Sequence, residues 1–392
     1  MKLTQRYVLF PLLTFGLLAG FTPRAQAVTF TFTSIDVPGA TGGTFALGMN
    51  NAGQIAGAYS TSTTANNPFL ILHPGHGYLR ELGGGFTTFD FPGANDTLAW
   101  AINAAGQIVG NYFDDPFGGI HGFLRDPAGT FTSIDVPGAH LTAPTGINDS
   151  GQIVGDYSSD EGIHGFLRDP SGSFTTIDFP GAVLTQIKGI NNAGQIVGHY
   201  VSSAYFHGFL RDPGGSFTTF DFPGAATTGV GGINDLGQIV GTYAYPPLLP
   251  GVPHGYLWDI LGVFTPMDFP GASETGAFGI NNSGQIVGIY FDGTQNHGYL
   301  AVPDPASLLS DLIALVETFN LRRGIENSLD AKLQNAEAAL TAAGEGSLGV
   351  ACNLLDAFIN EVEAQSGHAL TVDQANQLIT MANQVKAALN CP

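Results

Sequence analysis

The chain has 392 residues and a formal net charge of -20, from 32 acidic and 12 basic side chains. This surplus of negative charge disfavours contact with nucleic-acid phosphates and with anionic lipid surfaces. Apolar residues make up 44% of the chain, which excludes a disordered protein, and 55 glycines among recurring Val, Ile, Phe and Thr indicate a turn-rich β protein.

The first 27 residues have the pattern of an export signal. Lys2 and Arg6 precede the apolar stretch "VLFPLLTFGLLAGF", and small residues end the segment at Ala27. We therefore predict a signal peptide over residues 1–27, a secreted product in the extracellular or periplasmic space, and no membrane span after cleavage. An uncleaved anchor is the alternative, although the stretch is shorter than the roughly 20 residues that a spanning helix needs. The mature chain then has 9 basic and 32 acidic residues, a net charge of -23.

Three short motifs recur at a fixed phase through residues 31–302. The tripeptide Gly-Gln-Ile begins at Gly53, Gly106, Gly151, Gly194, Gly237 and Gly284. A His-Gly-aromatic-Leu run begins at His76, His121, His164, His207, His254 and His297, with spacings of 45, 43, 43, 47 and 43 residues. The line "FTTFDFPGA" and its variants contains Asp36, Asp90, Asp135, Asp178, Asp221 and Asp268. Six near-copies of one unit predict a repeat architecture.

Each unit contains four strand candidates, which we name a ("TGIN"), b ("QIVGxY"), c ("HGFLRD") and d ("SFTTIDF"). The turn signals "NxxG" and "DPxG" separate a from b and c from d, and the Pro of "PGA" ends strand d. Four antiparallel strands in about 43 residues match the size of a β-propeller blade.

The phase of the repeat predicts a closed ring. A strand d at residues 31–37 precedes the first strand a, and the last unit ends on strand c at residues 297–302. The opening strand can therefore complete the sixth blade and remove an exposed edge. The predicted fold class is all-β, a six-bladed propeller of four-stranded blades over residues 28–303, followed by a small α-helical bundle. An open β-solenoid is the alternative.

The repeat resembles the HAF-type extracellular repeats of bacterial proteins. The resemblance is in "HGFLRDP" (121–127, 164–170 and 207–213), "GINNAGQIVG" (189–198) and "FTTFDFPGA" (86–94 and 217–225), with Gly where that family has Ala. It covers about 270 residues and implies secretion and a repeat fold, but no settled activity.

Residues 304–392 form a C-terminal region of different composition, poor in Gly and rich in Ala and Leu. Helical periodicity predicts four helices, at 307–320, 328–343, 348–365 and 371–390, and Thr371 with Gln374 predicts a capping box. Cys352 and Cys391 would meet if the last two helices form an antiparallel hairpin, so a disulfide is expected, with two free thiols or an intermolecular bridge as the alternative. "GIENSLDAKL" and "AFINEVEAQSG" make this region similar to the FIMAH-type C-terminal domain, which likewise implies no chemistry.

The repeated His, Asp, Asn and Gln side chains are expected to be structural. Equivalent residues on strand c lie about two strand spacings, ~10 Å, outside strand a, so those of neighbouring blades cannot share one ion. We expect each His or Asp to bond backbone or a turn within its own blade, as buried polar groups require.

Candidate function lies where the units differ. The residue before "GIN" varies and should surround the mouth of the channel, where aromatic faces and one cation could hold a sugar or a small acidic ligand. The alternative is that these side chains only plug the channel. The six residues are Leu47, Trp100, Thr145, Lys188, Gly231 and Phe278.

The b–c loops also vary in length and contain acidic residues, which are Asp114, Asp115, Asp160, Glu161 and Asp292. If these side chains converge, they could bind Ca²⁺ or supply a carboxylate pair for glycoside cleavage. Acidic loops are more often simply solvated, and no resident cofactor is otherwise expected.

The sequence thus favours a secreted, non-enzymatic repeat protein, a binding or adhesion scaffold for a surface glycan or protein. The competing hypothesis is a glycan-active hydrolase or lyase that uses carboxylates on the variable loop face. A purely structural surface component is a third hypothesis.

Overall fold

A computed structural model describes residues 28–62, 75–114, 119–246, 252–259, 262–342 and 347–391. The predicted signal peptide, residues 1–27, lies outside the described residues, as does Asp115.

Twenty-four strands in the described residues form six four-stranded antiparallel sheets. Blades 1 to 3 consist of β2 (Gly43–Met49), β3 (Ile55–Ser60), β4 (Gly75–Arg80), β5 (Phe86–Phe89), β6 (Asp96–Ile102), β7 (Ile108–Phe113), β8 (Ile120–Arg125), β9 (Phe131–Ile134), β10 (Leu141–Ile147), β11 (Ile153–Ser159), β12 (Gly162–Arg168) and β13 (Phe174–Ile177). Blades 4 to 6 consist of β14 (Thr185–Ile190), β15 (Ile196–Ser202), β16 (Tyr205–Arg211), β17 (Phe217–Phe220), β18 (Thr227–Ile233), β19 (Ile239–Ala244), β20 (His254–Trp258), β21 (Phe264–Met267), β22 (Glu274–Ile280), β23 (Ile286–Phe291), β24 (Asn296–Pro303) and β1 (Phe30–Ile35).

The first strand closes the ring. Strand β1 pairs antiparallel with β24, in a register that runs from Phe30 opposite Pro303 to Ile35 opposite Gly298. Blade 6 thereby gains its fourth strand from the opposite end of the propeller sequence. The six-bladed propeller and its closure by residues 31–37 are confirmed.

The a–b hairpins use their repeated Asn as a link between blades. The Asn191 side-chain oxygen accepts from the backbone N–H of Gln195 at 2.9 Å, which fixes the turn. Its amide nitrogen donates to the Gln195 side chain at 2.8 Å and to the backbone carbonyl of Asn234 in the next blade at 3.0 Å. Equivalent inter-blade bonds start from Asn50, Asn103, Asn148 and Asn234. The repeated Asn and Gln are structural, as expected.

The repeated His and Asp bond each other. In each blade the Nδ1 atom of the strand-c His lies 2.8–3.0 Å from the carboxylate that ends strand d. In blade 6 the partners are His297 and Asp36, so this pair also ties β1 into the ring. The expectation of a partner within the same blade is confirmed, but that partner is the other member of the repeat and not backbone or a turn.

A Tyr from strand b packs on each of these His rings. The six ring-centroid distances lie between 4.9 and 5.4 Å. In four blades the Phe of "FPGA" stacks on the other face of that Tyr, as Phe179 does on Tyr200 at 3.8 Å. The Tyr–His contact lies across two strands of one blade, and the Phe–Tyr contact joins that blade to its neighbour. The repeated stack therefore holds neighbouring blades together.

Four helices follow the propeller: α1 (Pro305–Thr318), α2 (Arg323–Thr341), α3 (Ser347–Gln365) and α4 (Val372–Ala388). The capping box of Thr371 and Gln374 is present, and Cys352 is bonded to Cys391 with their Cα atoms 5.7 Å apart. Helix α2 begins five residues before the predicted 328, because Gly324 is tolerated in the first turn, where few backbone bonds depend on it. None of the helices in the described portion of the chain is long and apolar enough to cross a membrane.

The helical region docks on blades 5 and 6. The Gln384 side chain of α4 donates to Gln238 of blade 5 at 3.2 Å, and Asp304 donates its backbone N–H to Thr29 at 2.8 Å. Asp311 of α1 is buried at this contact, and its Oδ1 atom has no hydrogen-bond partner. Burial, and then the nearby Asp259 carboxylate of blade 5, raise the pKa of Asp311 to about 7.

The ring closure can be tested with an internal control, because residues 31–40 and 130–139 are the same decamer, "TFTSIDVPGA". Ile35 in β1 and Ile134 in β9 are equally buried, at 3% and 2% exposed. We expect Ile35→Ala and Ile134→Ala each to lower the free energy of unfolding by about 2–4 kcal/mol, as large-to-small core substitutions do. Chemical denaturation measures both values. A closing strand that is undocked in solution would make Ile35→Ala silent while Ile134→Ala remains costly.

The Asp311 carboxyl should make stability depend on pH. Its raised pKa means that the folded state binds a proton more tightly than the unfolded state, so stability falls as pH rises from 3.8 to about 7 and then levels off. Asp311→Asn removes the titrating group and should be more stable than the native protein at pH 8 and similar to it at pH 4. Thermal melts across this range, with Asp304→Asn as the exposed control, would disprove the assignment if both variants keep the native pH profile.

Candidate functional site

The residue before "GIN" is a β-bulge in every blade. The register between strands a and b skips one residue on strand a, as between Ile187 and Gly189 in blade 4. A bulge leaves the extra residue out of the ladder and re-aims its side chain. The skipped residues are the six variable residues of the sequence analysis: Leu47, Trp100, Thr145, Lys188, Gly231 and Phe278.

These six bulge residues surround one cavity of about 280 Å³ on the propeller axis. The volume is near the lower end of the roughly 300–1,000 Å³ range of small-molecule sites. Leu47 is almost fully buried, while the other five are half-buried and face the cavity. Gly231 is required for space, because a Cβ atom there would lie 2.3 Å from the Ala277 carbonyl oxygen.

A second set of variable residues lies behind the bulge residues and is missing from the sequence-based prediction. It is the residue x of "QIVGxY" on strand b. This residue differs between blades while its neighbours repeat, and that contrast is the signal in the sequence that could have identified the set. The set, which we call the strand-b set, is Ala58, Asn111, Asp156, His199, Thr242 and Ile289. His199 and Thr242 line the cavity directly.

Asp156 neutralises the lysine at the cavity. Its carboxylate is buried and accepts from the Lys188 ammonium at 2.9 Å, from the Ile187 backbone N–H at 2.6 Å and from the Gln186 amide at 3.3 Å. Burial raises the pKa of Asp156, and the Lys188 charge with these hydrogen bonds opposes that rise. Lys188 is therefore one half of an ion pair between blades 3 and 4.

His199, at the same repeat position in blade 4, is likewise hydrogen-bonded to the backbone of the following blade. Its Nδ1 accepts from the Val230 backbone N–H at 3.3 Å, so its Nε2 donates to the Gln186 side-chain oxygen at 3.0 Å. Burial, and then the Lys188 charge, hold the pKa of His199 well below its usual range. The ring at the cavity wall is therefore neutral at physiological pH.

The residue just before each bulge determines which donor a polar side chain of the strand-b set bonds. Asp156 and His199 each accept from the backbone N–H of that residue in the following blade. In blade 3 the residue is Pro144, which has no N–H to donate. Asn111, the corresponding acceptor in blade 2, bonds the Trp100 indole N–H instead.

The remaining wall of the cavity is apolar. Phe45, Leu47 and Ile289 form a buried cluster from blades 1 and 6, and the rings of Trp100 and Phe278 pack against it. Thr145, on the polar side, donates its hydroxyl to the Ile187 carbonyl at 2.7 Å. The cavity thus has an apolar arc from blades 6, 1 and 2 and a polar arc from blades 3, 4 and 5.

The acidic loop residues do not form one cluster. Asp114 lies 3.7 Å from His121, Asp160 lies 2.9 Å from His140, and Asp292 lies 3.3 Å from His297, each within its own blade. Glu161 is exposed in the turn after β11, and Asp115 lies outside the described residues. Among the residues that the structure describes, no group of three or more His, Cys, Asp or Glu side chains is placed to hold a metal ion.

The chain is similar to several solved propellers of low sequence identity. A virginiamycin B lyase from Staphylococcus aureus is 14% identical over 69% of this chain and 99% of its own, with a TM-score of 0.41. A gluconolactonase from Xanthomonas campestris is 11% identical over 71% and 91%, with a TM-score of 0.43. A calcium-binding protein, regucalcin, from Agrobacterium tumefaciens is 14% identical over 69% and 93%, with a TM-score of 0.43. No protein-family model and no curated protein matches the chain.

The ion pair at the cavity predicts how substitutions of Lys188 and Asp156 change the free energy of unfolding. Lys188→Met leaves the Asp156 carboxylate buried without its cation, and should lower the free energy of unfolding by about 3 kcal/mol at pH 7. The loss should shrink at pH 4, because protonation then removes the unpaired charge. Lys188→Met with Asp156→Asn should recover most of the loss.

Denaturant unfolding at both pH values measures these differences. Lys332→Met, which removes a lysine paired with Glu361 in the helical region, is the matched control for charge. An unchanged stability in Lys188→Met would show that Asp156 does not depend on this cation.

Proposed function

We propose that this protein is an exported, non-enzymatic binding propeller whose axial cavity takes a neutral sugar unit of a surface glycan. The observation that carries the proposal is the gathering of the bulge residues and the strand-b set around one cavity. The His–Asp pairs and the Asn turns repeat in the blades, although the b–c loops and the residue before the strand-c His also differ. Variation gathered around a concave site, beside contacts that repeat, is what selection for a ligand, rather than for packing, would leave.

A sugar matches the division of the cavity into two arcs. The half-buried rings of Trp100 and Phe278 offer flat apolar faces, against which the C–H face of a pyranose can pack. The opposite arc holds the Lys188 ammonium, two of whose three protons are not used by Asp156, and the hydroxyl of Thr242. Such groups pair well with sugar hydroxyls.

A neutral ligand is favoured over an acidic one because the described lining of the cavity has no unpaired cation. Lys188 is matched by Asp156 at 2.9 Å, and burial keeps His199 neutral. The whole chain has a net charge of -20, which adds a long-range repulsion of anions.

Binding is favoured over glycoside cleavage by the placement of carboxylates. Most glycosidases use two carboxyl groups that flank the bond to be cleaved. No Asp or Glu is among the described residues that line the cavity. Asp156 stands behind Lys188, and both of its oxygens accept hydrogen bonds from protein donors.

The remaining elements of the proposal concern export and family. The predicted signal peptide supports secretion, and the Cys352–Cys391 disulfide is compatible with an oxidising compartment. We also propose that the blades are HAF-type repeats and that the helical region is a FIMAH-like domain, on the motifs quoted above.

A glycan array with neutral and acidic members, followed by calorimetry, tests the proposed function. We expect neutral glycans to bind, and Trp100→Ala to weaken binding at least tenfold because it removes a stacking face. Trp100→Phe should keep most of the affinity, since it retains a ring. Leu82→Ala, an exposed residue outside the cavity, is the control.

Three results would overturn the proposal. One is binding restricted to acidic glycans, and another is native affinity in Trp100→Ala. The third is polysaccharide cleavage that Asp114→Asn or Asp160→Asn abolishes, which would favour the hydrolase hypothesis.

A further inference from the structure

A third position also varies from blade to blade. It lies on the same sheet face as the strand-b set, next to the mouth of the cavity. It is the residue before the repeated His on strand c, which is Gly75, Ile120, Ile163, Phe206, Pro253 or Asn296. Only Phe206 among them is aromatic, and its side chain is 39% exposed. An exposed aromatic ring beside a concave site adds a flat apolar face on which a ligand can pack.

Phe206 is directly connected to the cavity wall through His199. The two rings meet edge to face with their centroids 4.8 Å apart. Val201, two residues after His199 on the same strand, lies opposite Phe206, so the three side chains share one face of the sheet. Because His199 lines the cavity, a ligand that touches His199 and extends outward would next meet Phe206.

The hairpin that presents Phe206 has an unusual backbone. Its two turn residues, Ser203 and Ala204, have φ angles of 53° and 72°. Two-residue hairpin turns with positive φ at both positions normally contain Asn and Gly, because a Cβ atom disfavours this region. The turn is two residues long, so Phe206, the second residue of β16, lies close to the tip of this hairpin.

Two further apolar residues, Val201 and Val183, lie near Phe206 at the rim of blade 4. Val201 lies opposite Phe206 in the β15–β16 register. The backbone of Val201 bonds residues 183 and 184 of the crossover into blade 4, and Val183 is 79% exposed there. Of these rim residues, Phe206 has the ring contact with His199, which lines the cavity.

We propose that Phe206 is a second sugar subsite, and that the ligand is the end of a glycan chain that leaves the cavity over blade 4. This rests on the proposed function, since the first unit occupies the cavity between Trp100 and Lys188. The second unit packs its apolar face on the Phe206 ring, with Val201 beside it. Specificity for chain length then lies in blade 4 alone, while the cavity decides which terminal unit is accepted.

Calorimetric titration with neutral oligosaccharides tests this inference. The probes are β1,4-glucose, α1,4-glucose and β1,4-N-acetylglucosamine series of one to four units. In the native protein we expect affinity to rise at least fivefold from one unit to two and to level off beyond that. Phe206→Ala should remove this gain without changing the affinity for the single unit, and Phe206→Tyr should retain it.

Two variants separate the inference from the function on which it rests. Trp100→Ala should weaken binding of every member of the bound series, whereas Leu82→Ala should change none. If single units and longer chains bind the native protein equally, and Phe206→Ala is silent while Trp100→Ala is not, the second subsite is refuted and the cavity function stands. If no series binds the native protein, the proposed function itself fails for neutral sugars, and the subsite fails with it.

Discussion

The pairing of β1 with β24 is the interaction on which the rest of the molecule depends. Six paired positions, from Phe30 opposite Pro303 to Ile35 opposite Gly298, join residues that are more than 260 apart in the chain. Without this pairing, blade 6 would have three strands and an open edge. The axial cavity exists only because all six bulge residues face a common axis, so the site is a property of the closed ring and of no blade by itself.

Repetition and variation have separate physical roles in this chain. The repeated polar residues satisfy each other: His with Asp inside a blade, and Asn with the next blade's carbonyl. Every blade satisfies these polar side chains with the same repeated partners. The contacts therefore stabilise the fold and leave the repeated His, Asp and Asn already hydrogen-bonded. The bulges break the ladder once in each blade, and the side chains released there are those that differ. The polar arc and the apolar arc of the cavity arise from this difference.

Much of the fold was predictable from the sequence, since the repeat phase is a direct record of topology. The motif order predicts the blades and the closing strand, the helical periodicity predicts the Cys352–Cys391 bond, and the variable residue before "GIN" indicates Trp100 and Lys188. The Lys188–Asp156 pair was not found, because the two residues lie on different strands of different blades and only the inter-blade spacing brings them together. The docking of Gln384 on Gln238 has no local signal either, since it joins surfaces 146 residues apart.

The identical decamers at 31–40 and 130–139 have a consequence for how the chain reaches its native state. The first copy is made early, but its partner β24 follows only after the other five blades, so the closing contact has a very high sequence separation and forms late. Until then we expect the early copy to compete with β9 for the edge of β8, because the two decamers are identical. Only the short covalent link from β8 to β9 favours the correct partner, through a smaller loop-closure entropy. Productive assembly therefore relies on kinetic order: local hairpins must close before the leading segment finds a free edge.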